Sequence, residues 1–337
     1  MSYMRVSVAM CTYNGATFLS EQLNSILTQT QPPNELVVCD DGSTDATRQI
    51  IEDFAQKAPF EVKLSCNSST LKVTKNFEKA IGLCTGDIVF LCDQDDVWKS
   101  DKVAKVVEAF ATNPQAQLVY SNADLINERG ELLPKTQWEI LRLYPPQIAA
   151  WKAGKAAELM LGGNRITGCM VAFRRAFVQS LIPFPTHIPE YIHDGWIGIV
   201  GAVKNEICLL EECLTQYRQH PQQQIGIRAN EGREAVTLKE RFSRPREEKL
   251  DPIRAQYNQL LLLDEAIRKV VESQNHNLLN INRKIEFLKM RCELPNARYK
   301  RILPVFKNLL SGDYHRFADQ DADWKGGFLT ALGDIVE

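Results

Sequence analysis

The chain has 337 residues, 44% of them hydrophobic, which is enough for one large domain or two of ordinary size. Its 40 lysines and arginines against 42 aspartates and glutamates leave a formal charge of -2, so the whole-chain balance gives no reason to expect nucleic acid as a partner. No stretch approaches the roughly 20 uninterrupted apolar residues of a spanning helix, and the first residues lack the apolar core of a signal peptide. The expectation is a cytoplasmic protein, with contact at the inner face of the membrane left open.

The elements follow in chain order. Arg5 to Cys11 reads as a strand, and Phe18, Leu19, Leu23, Ile26 and Leu27 then recur at helical spacing before the Pro32-Pro33 break. Glu35 to Cys39 is a second strand, followed by Asp40-Asp-Gly-Ser-Thr-Asp45 and a helix with Ile50, Ile51 and Phe54 on one face. Val62 to Cys66, a helix near Thr74 to Leu83 and the strand Ile88 to Cys92 continue the alternation, and Ser100 reads as the cap of a helix bearing Val103, Val106, Val107 and Phe110. This predicts an α/β fold with a doubly wound, mixed, mostly parallel sheet. After residue 116 come a strand from Gln117 to Ile126, a long region rich in Pro and Gly, and a strand at Met170 to Arg174. An apolar helix follows His193-Asp-Gly-Trp196, and a strand pair is expected at Ile207 to Leu210 and Thr215 to His220. Residues 1–226 form the predicted first domain, 1–115 as a nucleotide-binding half and 116–226 as an acceptor half, and 227–337 a helical appendage. Its helices are placed at Asp251 to Val271, Asn280 to Cys292 and Arg298 to Leu310.

The stretch Asp87-Ile-Val-Phe-Leu-Cys-Asp-Gln-Asp-Asp96 carries the chemistry. An apolar run of this kind buries its middle and delivers its end to a loop, so Asp93, Asp95 and Asp96 stand together at the carboxyl edge of the sheet, where open α/β folds place ligands. Clustered carboxylates repel, and a hard divalent cation relieves that repulsion while leaving coordination sites for a diphosphate. A similar tract, Asp319-Gln-Asp-Ala-Asp323, follows no apolar strand and reads as a solvated turn. Nine scattered cysteines form no C-x-x-C pair and are expected to be reduced packing residues.

Taken together, Val6-Ser-Val-Ala-Met-Cys-Thr-Tyr-Asn14, Leu23-Asn-Ser-Ile26, Val37-Val-Cys-Asp-Asp-Gly-Ser-Thr-Asp45 and Asp93-Gln-Asp-Asp96 resemble the family 2 glycosyltransferases of the GT-A fold. Asn164 to Phe173, His193-Asp-Gly-Trp196 and Tyr217-Arg-Gln-His-Pro221 are similar to the subgroup labelled rhamnosyltransferases, except that Pro221 and Gln222-Gln-Gln224 stand where that subgroup has Gly and two Asn. The resemblance implies an inverting, metal-dependent transferase. It would move a sugar, rhamnose from dTDP-rhamnose being favoured, to a hydroxyl of a glycan or lipid-linked glycan of a bacterial surface polysaccharide. A UDP-hexose-dependent transferase and a non-catalytic nucleotide-sugar-binding scaffold stand as alternatives.

Site roles follow from the chemistry and the resemblance. Asp95, with His220, would hold Mn2+ or Mg2+, and Asp93 would lie near the ribose or share the metal, while Asp96 is expected to cap the next helix. Asp40 would accept from the imide N–H of a uracil or thymine, with Thr12, Tyr13, Asn14, Lys75, Asn76 and Gln94 completing the nucleotide site. Asp194 is the expected base that removes the acceptor proton. Gly168, Cys169, His193 and Trp196 would form the acceptor or sugar side, Trp196 as an apolar wall. Arg218 is left between a phosphate ligand and a sheet-surface residue. A Gly-rich phosphate loop, which a nucleotidyltransferase would carry after its first strand, is not offered by Thr12-Tyr-Asn-Gly15. Arg241, Arg244, Arg246 and Lys249 are read as a solvated face, with membrane or partner contact, and self-association, left open.

Overall fold

The computed structural model describes residues 4–189, 191–221, 223, 246–317 and 324–336; Gln222, Gln224, Arg241, Arg244 and the tract Asp319-Gln-Asp-Ala-Asp323 lie outside them. Internal contacts divide the chain into Met1–Ala156 with Asn164–Ile227, and Ala157–Gly163 with Arg228–Glu337. The short segment Ala157–Gly163, placed by sequence in the first domain, thus belongs to the second unit.

The first unit is built on one sheet whose strands are β1 Val6–Thr12, β2 Glu35–Asp40, β3 Glu61–Cys66, β4 Ile88–Cys92, β5 Val97–Trp98, β6 Leu118–Ile126, β7 Leu132–Thr136, β8 Val171–Arg174 and β9 Ile207–Arg218. They run in the order β3-β2-β1-β4-β8-β6-β9-β5, with β7 beside β6. The long ladders β3-β2, β2-β1, β1-β4 and β6-β9 are parallel, and β8 joins the halves antiparallel to both β4 and β6. Parallel strands are covered on both faces, which is why β1, β2 and β4 are apolar along their length. Alternate residues Val6, Val8, Met10, Leu36, Val38, Ile88 and Phe90 share one core with Leu19, Leu23 and Ile26 of helix α1 (Ala16–Leu27), and with Val103, Val106 and Phe110 of the helix Lys102–Thr112. That second helix begins with Asp101 at its N-cap position, and no side chain caps it. Ser100, the expected cap, instead offers its carbonyl to the Thr30 N–H at 2.8 Å.

The expected strand pair at 207–220 is the single strand β9. Ser121 pairs with Leu210 and Asn122 with Cys213, so Glu211 and Glu212 are extra residues bulged from the ladder. Gly86 marks a close backbone approach: a Cβ there would stand 2.6 Å from Ser7 Oγ and 2.8 Å from Ser7 N. Because backbone atoms cannot yield as a side-chain tip can, Gly86→Ala is expected to cost about 1–3 kcal/mol, read as a lower urea midpoint.

The second unit is helical, with Arg246–Ile267, Asn277–Cys292, Arg298–Leu310, Asp313–Phe317 and Trp324–Val336. Leu263, Ile267, Ile281, Phe287, Leu288 and Val305 are buried in it. The buried Asp334 carboxylate ties its helices together, accepting from Arg291 Nε and from the Tyr314 hydroxyl, each at 2.7 Å. No described helix is long and apolar enough to cross a membrane.

Candidate active site

The register of the parallel strands sets the site. Thr12 pairs with Asp40 and Met10 with Cys92, so β1, β2 and β4 end at one level and Thr12-Tyr-Asn14, Asp40-Asp41 and Asp93-Gln-Asp-Asp96 follow side by side. Gln94 clips two of these ends: its Oε1 accepts the Tyr13 N–H at 2.8 Å and its Nε2 donates to the Tyr13 carbonyl at 3.1 Å. Gly15 lies beneath this clip, where a Cβ would fall 2.2 Å from Gln94 Oε1 and displace that side-chain tip. Asn14, at φ +48°, accepts the Thr44 N–H at 2.9 Å, and Tyr13 is 43% exposed beside it.

Several residues expected at the nucleotide site also hold the loops around it. Asp40 is fully buried; its carboxylate accepts from Thr12 Oγ1 at 3.0 Å, from the Ser43 N–H at 3.0 Å, from Arg48 Nε at 2.8 Å and from the Ser43 hydroxyl. Burial alone would raise its pKa, but these donors hold it below the usual carboxylate value. Asp41 accepts the backbone N–H groups of Leu71 and Lys72, and the buried Asn76 donates to the Cys39 carbonyl at 2.9 Å. Lys75 pairs with Glu78 at 2.8 Å.

The acids after β4 differ sharply in surroundings. Asp93 is half-buried, and burial, reinforced by the charges of Asp95 and Asp194, raises its pKa to about 7. Asp96 is fully buried and pushed well above the normal range by burial and then by Asp95 and Asp93. One of its oxygens accepts the Arg218 N–H at 3.1 Å and the other has no partner; it caps no helix. Asp95 lies between, with Oδ2 2.8 Å from His220 Nε2. The His220 ring packs 4.9 Å from Phe18. Arg218 is not a sheet-surface residue: it is 1% exposed and donates to the carbonyls of Asp95, Asn127 and Glu128, with an ion pair to Glu21 at 2.5 Å. It clamps the acidic loop to α1.

Opposite these acids, Asp194 lies in the first turn of the helix His193–Lys204. Its oxygens accept the Gly195 N–H at 2.6 Å and the Gly168 N–H at 3.0 Å. Burial raises it to about 6 against those two donors. Gly168 thus positions the carboxylate, and Cys169 is buried behind it, its Sγ within 4.8 Å of carboxylate oxygens of Asp93 and Asp96. His193 stacks on Phe77 with centroids 4.2 Å apart, and burial lowers its pKa to about 3. Trp196, expected as an open wall, is 2% exposed and its indole N–H points at the Leu181 carbonyl at 3.4 Å. The helix packs its apolar side inward, so Trp196 belongs to the core.

Lys102 escaped the reading from sequence. It is 1% exposed, donates to the Cys169 carbonyl and to Thr215 Oγ1, each at 2.8 Å, and its ammonium sits 4.1 Å from the Trp98 ring centre. Burial lowers it to about 8, while Cys169, Cys92, Asp96 and Asp93 pull the other way. The signal was its place four residues before Val106, a cation within an apolar stripe. Lys102→Met is expected to cost about 2–3 kcal/mol in urea unfolding, because it strands a buried carbonyl and removes a buried cation whose charge acts on Asp93. Lys102→Arg is not expected to restore it, since the larger fork has no room.

The residues present suit a hard divalent cation. Burial and then the neighbouring carboxylates raise both Asp93 and Asp96, whose oxygens gather with Cys169 Sγ within 4.8 Å, and Asp95 with His220 offers a separate pair of oxygen and nitrogen donors. All nine cysteines are free, and burial raises the Cys169 thiol well above its ordinary value.

Acids at the carboxyl edge of a largely parallel sheet, faced by a buried carboxylate, define an enzyme-like site on the GT-A fold. The chain belongs to glycosyl transferase family 2, whose family model matches residues 7–181. It is 32% identical over 215 residues to the putative teichuronic acid biosynthesis glycosyltransferase TuaG of Bacillus subtilis, covering 63% of this chain and 78% of that one. An uncharacterized glycosyltransferase of a Nostoc species is 28% identical over 223 residues, 64% of this chain and 65% of the relative. An uncharacterized Mycobacterium bovis protein is matched over 59% of its length, so the chain spans less than two thirds of both. Among solved structures, Staphylococcus aureus TarS 1-349 in complex with UDP aligns with a TM-score of 0.54 at 17% identity, covering 98% of this chain and 80% of that one. Mannosyltransferase PcManGT from Pyrobaculum calidifontis, in complex with GDP-Man and Mn2+, aligns at 0.50 and 18% identity with the same coverage. These likenesses speak to the fold.

Proposed function

We propose that the chain is an inverting glycosyltransferase that moves one sugar from a nucleotide diphosphate to a glycan hydroxyl by single displacement. The observation that carries this reading is Asp194, a buried carboxylate held by two backbone N–H groups and close enough to the acids after β4 for its charge to raise Asp93. Asp194 takes the acceptor proton; its pKa near 6 leaves it ionised at neutral pH yet more basic than an exposed aspartate. Asp95 and His220 hold the divalent cation, with Asp93 beside them, and when bound the cation offsets charge growing on the leaving diphosphate. Tyr13 and Asn14, exposed at the end of β1, line the nucleoside.

The favoured donor is dTDP-rhamnose, on the likeness of Tyr217-Arg-Gln-His220 and His193-Asp-Gly-Trp196 to rhamnosyltransferases. A UDP-hexose is the second reading, favoured by the structural neighbours: TarS 1-349 is recorded with UDP and with UDP-GlcNAc. The acceptor is a bacterial surface polysaccharide precursor, consistent with the likeness to TuaG. A panel of dTDP-, UDP- and GDP-sugars incubated with Mn2+ or Mg2+, with nucleoside diphosphate release as readout, tests this. Release confined to a pyrimidine donor is expected; release from none, or from GDP-sugars alone, contradicts it.

A further inference from the structure

We propose that the helix Arg298–Leu310 docks the protein on an anionic lipid surface, lying in the plane of the bilayer interface. One side of this helix, with Arg301 and Val305, is buried in its own unit. The other side carries Tyr299, Ile302, Leu303, Phe306 and Leu310, exposed by 72%, 52%, 77%, 53% and 73%. At 100° per residue these five fall in an arc of about 100°, a continuous apolar stripe along about 18 Å of helix. Leu329 and Leu332 of Trp324–Val336, a helix packed against this one, are also exposed, by 48% and 49%. An apolar patch of this extent on a protein surface marks an interaction site.

Charge decides the occupant. Residues 298–310 read Arg-Tyr-Lys-Arg-Ile-Leu-Pro-Val-Phe-Lys-Asn-Leu-Leu, with four cations and no acid. Exposed Arg298 flanks the stripe on one side, exposed Lys300 and Lys307 on the other. A second copy of the chain packed face to face would set these cations against one another, because a twofold interface brings the same patch together. Anionic headgroups neutralise them while the stripe enters the acyl boundary, with the lysine stems lying along it. The negative whole-chain charge does not oppose this, since the attraction decays within about 10 Å at ordinary salt.

The test sediments full-length protein with vesicles of phosphatidylcholine containing phosphatidylglycerol, and separately with phosphatidylcholine alone. Binding to the first, weakening with salt, and little binding to the second are expected. Leu303→Glu with Phe306→Glu places two charges in the stripe and is expected to lower partitioning at least about tenfold. Lys300→Glu with Lys307→Glu is expected to lower it by roughly fivefold or more per lysine and to flatten the salt dependence. All four side chains are exposed, so thermal unfolding should stay at the wild-type temperature in both variants. The idea is overturned if wild-type protein stays in the supernatant with both vesicles, or if the glutamate variant in the stripe sediments as well as wild type. A dimer in sedimentation velocity that dissociates in that variant, without lipid binding, would also overturn it and assign the face to a second copy. Donor release is measured without lipid, so failure here and failure of the transferase reading are separately visible.

Discussion

Replacing Asp194 by asparagine is expected to lower kcat by about two to four orders of magnitude, the usual contribution of a positioned general base, with donor binding changed by no more than about threefold. Asparagine keeps the size of the group, but its single carbonyl oxygen can take only one of the two N–H groups, of Gly168 and Gly195, that separate oxygens of Asp194 accept, so the loss reads the missing basicity together with one lost hydrogen bond. The pH profile gives a second readout. A base acts when ionised, and Asp194 has its pKa raised by burial to about 6. Transfer should therefore rise with pH through about 6 and level above it. Asp93, raised to about 7, titrates in a neighbouring window, so the limb belongs to Asp194 only if it vanishes in the asparagine variant.

Replacing Asp95 by alanine is expected to reduce donor turnover about a hundredfold or more, because the carboxylate that meets His220 at 2.8 Å is removed. Manganese binding, followed by loss of the free-ion paramagnetic resonance signal, should fall in parallel. His220→Ala is expected to be milder, about ten- to a hundredfold in metal affinity. If Asp95→Ala bound manganese as wild type does, the cation would have to be held elsewhere, with Asp93 and Asp96 as the nearest group.

Much of this was legible in the sequence where local pattern and tertiary role coincide. Ile88–Cys92 was placed to the residue, because a run apolar on both faces has few alternatives to a buried parallel strand. The acids after it stand where that strand's direction puts them. Asp194, singled out from its motif, lies in the first turn of its helix with its oxygens accepting two backbone N–H groups. Three kinds of feature were not legible. β9 was divided in two because Glu211 and Glu212 break its apolar pattern, and only the partner strand shows that they bulge. The long region between Ile126 and Met170, read only as rich in Pro and Gly, holds the short helices Gln137–Ile140, Pro145–Ala150 and Ala156–Leu161, too brief for periodicity to register. The direction of individual polar side chains was hidden as well. Asp40 and Asn76 turn inward to hold loops, Trp196 turns into the core, and Lys102 is drawn beneath the acids by Cys169 and Thr215.

The central claim is that the end of β4 grips a nucleoside diphosphate through a divalent cation. Calorimetric titration of UDP and dTDP into the protein, with and without manganese, tests it most directly. Binding that tightens at least about tenfold with manganese, and loses that gain in Asp95→Ala, is the expected result. Binding of every diphosphate that is indifferent to both the metal and the substitution would contradict it.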